Sequence, residues 1–488
     1  MISIFYDFET SSRDPLGQIL SYAFIAVDKH YTITEELNGL IKVNRTQLPE
    51  IDAILTNKLN IDELNNSGHT DYEAAKIIYH FLEKQCKQYN NVTLAGFNSN
   101  QFDLTFLRNL LISYGFNPYF KGKLHNKDVL HFAQFIAFQH PDQFPWIRTE
   151  SEKSTYYSFK LEDLATTFGI LTESQTHNAR DDVLLTINLI QTLETTFETP
   201  FHTFEPTQFI QDPIFQGPLE VGKQKVRHYT QGDELLKKFT YRYFVKIASL
   251  GKAYLLIDLS HYETLLNQDS PSNDDKINCL RYINPNKAFF IFEPLIEEER
   301  LFYSPLAESI LEDQYFLEIK NKPDLYFKYT KKNWDIAYQI HELGFERIET
   351  LHTHIKQLIS APDSYTEQLN TLLQNIQTAP NDEQKEKNRY LLTLFNRAYL
   401  NHHPAPNPVY LQKYMTPRYE TGTLLRNSSD FIPLKDQLKR IDMLLNATDS
   451  PNNDTTTPLT EEDQLNLTAL KRHMETHYTH VKSPTNQY

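Results

Sequence analysis

Asp7 and Glu9 close the first strand-like run of the chain, in Asp7-Phe8-Glu9-Thr10. Side chains two apart on a strand point the same way, so the two carboxylates stand side by side. Like charges that close repel, and the strain is relieved by proton uptake or by a divalent cation. Another acid, Asp103, opens a helical pattern after the polar turn Asn98-Ser99-Asn100-Gln101-Phe102. Farther on, His177-Asn178-Ala179-Arg180-Asp181-Asp182 puts a histidine in a polar loop and carboxylates in the first turn of the next helix. Singly, each piece has a plainer reading: a strand running into a solvated turn, or acids complementing a helix dipole. Together, Asp7, Glu9, Asp103 and Asp182 with His177 are the donor set of two-metal phosphodiester hydrolysis. Hard carboxylate oxygens hold two Mg²⁺ or Mn²⁺ ions, and a histidine, titrating near neutrality, takes the proton of the attacking water.

These groups need a scaffold, and residues 1–200 alternate strand-like and helix-like patterns. Segments 2–7, 19–28 and 32–43 are rich in β-branched and aromatic residues, and 92–97 is a short buried-strand candidate. Apolar residues at helical spacing (Ala74, Ala75, Ile78, Phe81, Leu82) mark 71–89, and 103–114, 128–138, 160–168 and 180–197 read as further helices. This order predicts a strand-first α/β domain over 1–200. Four prolines between 200 and 218 mark a linker. Short strand-like pieces at 241–247, 253–258, 287–293 and 315–319 predict a small β-rich domain over 201–350. Helical patterns at 351–359, 365–376, 387–399, 433–445 and 461–478 predict a helical domain over 351–488, broken by the polar stretch 449–458.

Composition narrows the class. The chain has 488 residues, with 48 Lys and Arg against 63 Asp and Glu, a formal net charge of −15. A general basic coat for nucleic acid is excluded, so any such site must be local. Two cysteines, Cys86 and Cys279, offer neither a disulfide framework nor a thiolate zinc site, which suits a reducing compartment. The apolar run at the N-terminus stops at Asp7 and lacks a basic flank, so no signal peptide is expected, and no apolar run is long enough to span a bilayer. The expected location is the cytoplasm. Leu250-Gly251-Lys252-Ala253 lacks the upstream glycine and the Ser/Thr of a phosphate-binding P-loop, so ATP-driven chemistry is not supported.

The ordered set Asp7, Glu9, Asp103, His177 and Asp182 resembles the DEDDh branch of the proofreading-type 3′–5′ exonucleases, which have an RNase H-like fold. Carried over, the four acids are metal ligands and His177 is the general base. Asp181 lies one residue early for the family spacing. Within the family the likeness is closest to the bacterial exonuclease I group, through Leu48-Pro49, 56–68, Glu73-Ala74-Ala75, Asp128-Val129-Leu130, Trp146 and 158–164. The resemblance implies an exonuclease domain, an SH3-like β domain and a C-terminal helical domain, acting on single-stranded DNA. It also leaves room for repair or defence proteins to dock on the helical part. Because the catalytic motif does not read the sugar, a 3′–5′ exoribonuclease stays open. So does a nucleic-acid-binding subunit of a larger complex.

A single strand needs cations for its phosphates and flat side chains for its bases. Residues 221–252 carry eight basic residues against two acids, with Tyr229, Phe239, Tyr241, Tyr243 and Phe244 interleaved, whereas residues 1–200 carry a net −9. Lys237, Lys238 and Arg242 are the expected phosphate contacts there. Thr10, Gln18 and Asn98 are expected at the terminal nucleotide, Phe102 and Phe106 on its base, and Lys160 at a phosphate. Solvated lysines and core aromatics are the competing reading of these positions.

Overall fold

The computed structural model describes residues 2–13, 17–151, 154–171, 178–204, 214–221, 226–227, 238–250, 253–266, 272–283, 293–322, 343–419, 432–446 and 459–478. Strands β1 (Ile2–Thr10), β2 (Ile19–Val27) and β3 (Ile33–Leu40) open the chain. Helices α1 (Ile51–Asn57), α2 (Ile61–Ser67) and α3 (Asp71–Gln88) then lead to β4 (Val92–Gly96), α4 (Asp103–Ser113), β5 (Leu124–Asp128) and α5 (Val129–Gln139). The hairpin β6 (Ile147–Ser151) and β7 (Ser154–Ser158), helix α6 (Leu161–Thr167) and helix α7 (Ala179–Phe197) follow. The sheet order is β3-β2-β1-β4-β5, with β1 antiparallel to β2 and parallel to β4.

β1 is the central strand, and its alternation decides where the site forms. Ile4, Tyr6 and Phe8 enter the core under α3 and α4, beside Ile78, Leu107 and Leu111. Phe5 enters the opposite core with residues of α5 and α7, among them Ile136, Val183 and Ile187. Both faces are covered, as a strand inside a partly parallel sheet requires. Asp7 and Glu9 share the parity of Phe5, so they emerge on the α7 side. Phe8 is core.

β8 (Ile214–Val221), β10 (Phe239–Leu250), β11 (Ala253–Asp258), β12 (Leu280–Ile283) and β13 (Glu293–Pro294) form a small antiparallel sheet, order β12-β11-β10-β8-β13. The short β9 (Val226–Arg227) pairs instead with β7, joining the first segment to the second. Helices α8 (Leu259–Leu266), α10 (Glu297–Glu312) and α11 (Gln314–Asn321) pack with this sheet, and α9 (Asn273–Ile277) lies against α8. Two expectations change here. Residues 315–319 are helix, not strand: the Asp313 carboxylate accepts from Tyr315 N at 2.9 Å as a cap, and Phe316 and Ile319, three apart, bury one helical face. Aromatic and β-branched composition had suggested a strand; the cap and the spacing prevail. Of the expected strand 287–293, Glu293 is strand and the rest lies outside the described residues.

Helices α12 (Ile348–Ser360), α13 (Tyr365–Gln377), α14 (Asp382–His402), α15 (Pro408–Tyr419), α16 (Leu434–Asn446) and α17 (Glu461–His477) follow. They share cores with the first segment. Leu351, Ile355, Leu394 and Phe395 belong to the cluster under β1, α3 and α4. Ile441, Leu467, Leu470 and Met474 pack with Leu20, Ile51, Ile54 and Leu64, and Lys58 pairs with Asp463 at 2.6 Å. Among the described residues no helix is long and apolar enough to cross a membrane.

Candidate active site

Three elements bring the acids together. β1 delivers Asp7 and Glu9, α7 delivers Asp182, and one carboxylate oxygen of each lies within 4.8 Å of the other two. Asp182 is buried while Asp181 is exposed, so helical geometry selects the later of the two adjacent acids. The fourth acid, Asp103, is the first residue of α4 and is buried, and its Oδ1 has no hydrogen-bond partner.

The turn before Asp103 is built with care. A Cβ on Gly96 would come within 2.7 Å of Tyr6 O and of Ser99 Cβ, so β4 must end in glycine to let the chain pass. Asn98 then adopts φ +57°, a left-handed conformation that asparagine tolerates. Both oxygens of the Asp128 carboxylate hold this turn, accepting from Asn98 N at 2.8 Å and Asn100 N at 3.0 Å; Asp128 also caps α5 through Leu130 N. No role was assigned to Asp128 from sequence. The available signal was an acid at a strand end preceding a helical run.

The electrostatics follow from burial. The Asp7 carboxyl is pushed up to about 8 by burial and by the Asp182 charge. Glu9 is pushed up to about 9 by burial, then by Asp7 and Asp182. Asp103 is raised well above the carboxylate range, first by burial and next by Asp7. Such a set is stable when protonated, or when cationic charge sits among its oxygens. The unpartnered Asp103 oxygen and the close packing of Asp7, Glu9 and Asp182 fit a divalent-cation site made of hard oxygen donors.

The remaining expected residues divide. His177 lies outside the described residues, as does Lys237. Thr10 is buried and its hydroxyl donates to Ser12 O at 2.8 Å; the β1–β2 register shifts between Glu9 and Thr10, a bulge beside the acids. Asn98 and Phe102 are half-buried at the turn, with Phe102 against the core residue Phe106, ring centroids 4.8 Å apart. Lys160 is exposed at the start of α6.

Three of the expected contact residues have partners inside the protein. Gln18 is 4 % exposed and its amide is spent inside the protein, donating to Lys42 O and Asp71 Oδ1 and accepting from Asn44 N, so it is not free to grip a nucleotide. Arg242 donates one guanidinium N–H to the fully buried Asp258 at 2.8 Å, which anchors its side chain to the sheet. Lys238 donates to Pro141 O at 2.7 Å and lies over the Trp146 ring, joining β10 to the segment after α5.

No family model matches the chain, and no curated protein does. Solved structures do. Exonuclease I of Methylocaldum szegediense superposes with TM-score 0.60 at 18 % identity, over 98 % of this chain and 100 % of that one. The chain has the exonuclease I fold. E. coli exonuclease I in complex with a 5cy-dT13 oligonucleotide gives 0.62 at 15 % identity, over 98 % and 99 %. An exonuclease I/SSB-Ct complex gives 0.60 at 14 %, over 98 % and 99 %. The exonuclease I fold therefore extends over the described sheet, β segment and helices alike.

Proposed function

We propose that this chain is a divalent-metal-dependent 3′–5′ exonuclease that removes nucleoside 5′-monophosphates from single-stranded DNA. The observation that carries the reading is the close-set acid cluster Asp7, Glu9 and Asp182, together with the buried, unpartnered Asp103 oxygen, in a chain that has the exonuclease I fold. The oligonucleotide-bound E. coli exonuclease I supports single-stranded DNA as the substrate. Residues 1–200 carry the chemistry, 201–350 and 351–488 flank the strand, and the protein works in the cytoplasm. The exonuclease I/SSB-Ct complex supports a protein partner as well.

Asp7, Glu9, Asp103 and Asp182 hold two Mg²⁺ or Mn²⁺ ions, which when bound supply the positive charge that offsets the developing charge on the phosphate. The acids fix where the terminal phosphodiester can lie. His177, two residues before α7 in the sequence, takes a proton from the water that attacks phosphorus. The P–O3′ bond breaks, the leaving O3′ takes up a proton from solvent to become the new 3′-hydroxyl of the shortened strand, and the mononucleotide leaves with its 5′-phosphate.

The test compares end-labelled single-stranded DNA, single-stranded RNA and duplex DNA, each with Mg²⁺, Mn²⁺ or chelator. Metal-dependent release of mononucleotides from the 3′ end of single-stranded DNA is the expected result. Faster attack on RNA would make the protein an exoribonuclease, and binding without hydrolysis in saturating metal would make it a binding subunit. Normal turnover by His177→Ala would remove His177 as the base.

A further inference from the structure

Helix α4 carries Asp103 at its first residue and ends ten residues later at Ser113, about 15 Å away. The C-terminal helices grip that far end. Arg397 of α14 donates to Ser113 Oγ, and the Tyr114 hydroxyl meets His402 Nε2 at 2.9 Å. Nδ1 of His352, in α12, lies 3.1 Å from Tyr114 O. Gly115 follows at φ +73°, where a Cβ would stand 2.4 Å from His352 N, so α12 rests directly on the chain as it leaves α4.

The turn after Glu9 is tied to the same place. Ser11 N donates to Gln18 O and Gln18 N to Ser11 Oγ, both at 2.8 Å, closing the β1–β2 turn. The Gln18 amide then donates to Asp71 Oδ1 at 2.5 Å, Asn44 donates to Asp71 Oδ2 at 2.5 Å, and the Tyr114 hydroxyl lies 3.5 Å from Asp71 Oδ2. Asp71, Arg397, Gln18 and Ser113 line one cavity of about 30 Å³. The Asp71 carboxyl, 7 % exposed, is pushed up to about 6 by burial, against the pull of Asn44, Gln18 and the Arg397 charge. Burying this carboxylate beside an arginine is costly, and apolar residues of the same volume would pack as well. What apolar packing does not supply is direction: hydrogen bonds fix angle and register, which apolar contacts leave loose.

We propose that Asp71 and Arg397 are positioning residues that lock the β1–β2 turn and α4 to helix α14, so that the C-terminal helices set where Asp103 stands relative to Asp7 and Glu9. The proposal rests on the reading of the four acids as a metal site. A ligand set tolerates displacements of only about 0.5 Å before function suffers. The N-terminal end of α4 is held by the β1–β4 pairing and the Asp128-bound turn, and the polar lock constrains its far end, so the two together fix that distance.

The test is Mn²⁺ binding to the metal-stripped full-length chain at 25 °C, with kcat, KM and the unfolding temperature measured alongside. Arg397→Met is expected to weaken Mn²⁺ binding about tenfold and to lower kcat by a similar factor with little change in KM, and Arg397→Lys to recover part of both. Ser113→Ala, a small change that removes the Arg397 acceptor along with a local bond from the Ser113 hydroxyl to Asn109 O inside α4, is expected to weaken Mn²⁺ binding several-fold and decides the matter should Arg397→Met fail to fold. Unchanged Mn²⁺ affinity and kcat in both variants, with only a lower unfolding temperature, would reduce the network to structural adhesion and overturn the proposal. Failure of the unaltered chain to bind Mn²⁺ would instead overturn the metal-site reading beneath it.

Discussion

Metal binding at the acid cluster should eject protons, and the number can be worked from the structure. In the metal-free protein the Asp7 carboxyl is raised to about 8 and that of Glu9 to about 9. At pH 7 a carboxyl titrating near 8 is about 90 % protonated, and one near 9 about 99 %. The two interact, so they titrate as a pair rather than singly and together release between about one and two protons on binding, a floor to which the raised Asp103 adds. Each proton released steepens the apparent affinity by about tenfold per pH unit, so Mn²⁺ should bind about 10- to 100-fold more tightly at pH 7.5 than at pH 6.5. The stability sign agrees. Both folded-state values lie above the unfolded ones, so protonation stabilises the metal-free fold fully below pH ~4, and this contribution is lost as pH rises through about 8 to 9. The thermal shift caused by Mn²⁺ should accordingly grow with pH. Calorimetric titration at pH 7 in buffers of different ionisation enthalpy counts the protons directly. Glu9→Gln should release about one fewer. A binding enthalpy independent of buffer, together with an affinity flat from pH 6.5 to 8, would mean that the acids are already ionised without metal, and the argument from burial would fall.

Three further outcomes follow from other parts of the molecule. Arg242→Met should destabilise the fold by about 2 kcal/mol in urea unfolding, because it removes the charged donor from the buried Asp258 carboxylate, which keeps His261 and the Ser260 N–H, and should leave KM for DNA nearly unchanged; the reverse pattern would favour Arg242 as a substrate contact. Gly115→Ala should cost about 2 kcal/mol or more, from a left-handed φ of +73° and from the collision with His352, measured by thermal unfolding. His473, buried between α17 and α2, is pushed down to about 4, chiefly by burial. Its neutral form stabilises the fold fully above pH ~6.5, and this contribution of about 3 kcal/mol is lost as pH falls toward 4; His473→Gln should flatten that part of the stability profile.

How much of this could be read from the sequence depends on how far apart the cooperating residues lie. Asp7 and Glu9 were legible because strand parity is local, and Asp103 because a polar turn opening a helix is local. Asp128 was not, since its function is to accept from a turn thirty residues earlier. Gln18 and Arg242 look like free polar side chains in sequence, and only folding brings Asp71 and Asp258 against them. The hairpin β6–β7 was missed because its partner strand, β9, comes from the next segment. The C-terminal helices were legible as amphipathic patterns. That their apolar faces complete the cores under β1 and beside α1 was not, because periodicity names a buried face without naming what buries it.

The acidic balance takes on a different meaning at this scale. The formal −15 counts every carboxylate as ionised. Asp7 and Glu9 are mostly protonated near neutrality without metal, and Asp103 is raised as well, so the site most exposed to the objection that an acidic protein repels a polyanion carries far less charge than its composition implies. Burial thus makes two properties one. The low-dielectric surroundings that hold the acids neutral are those in which an entering divalent cation finds ionised oxygens at their strongest, since a charge pair gains most where water is excluded. The basic stretch 221–252 answers the same objection less than its count suggests, because Lys238 and Arg242 are held by Pro141 and Asp258.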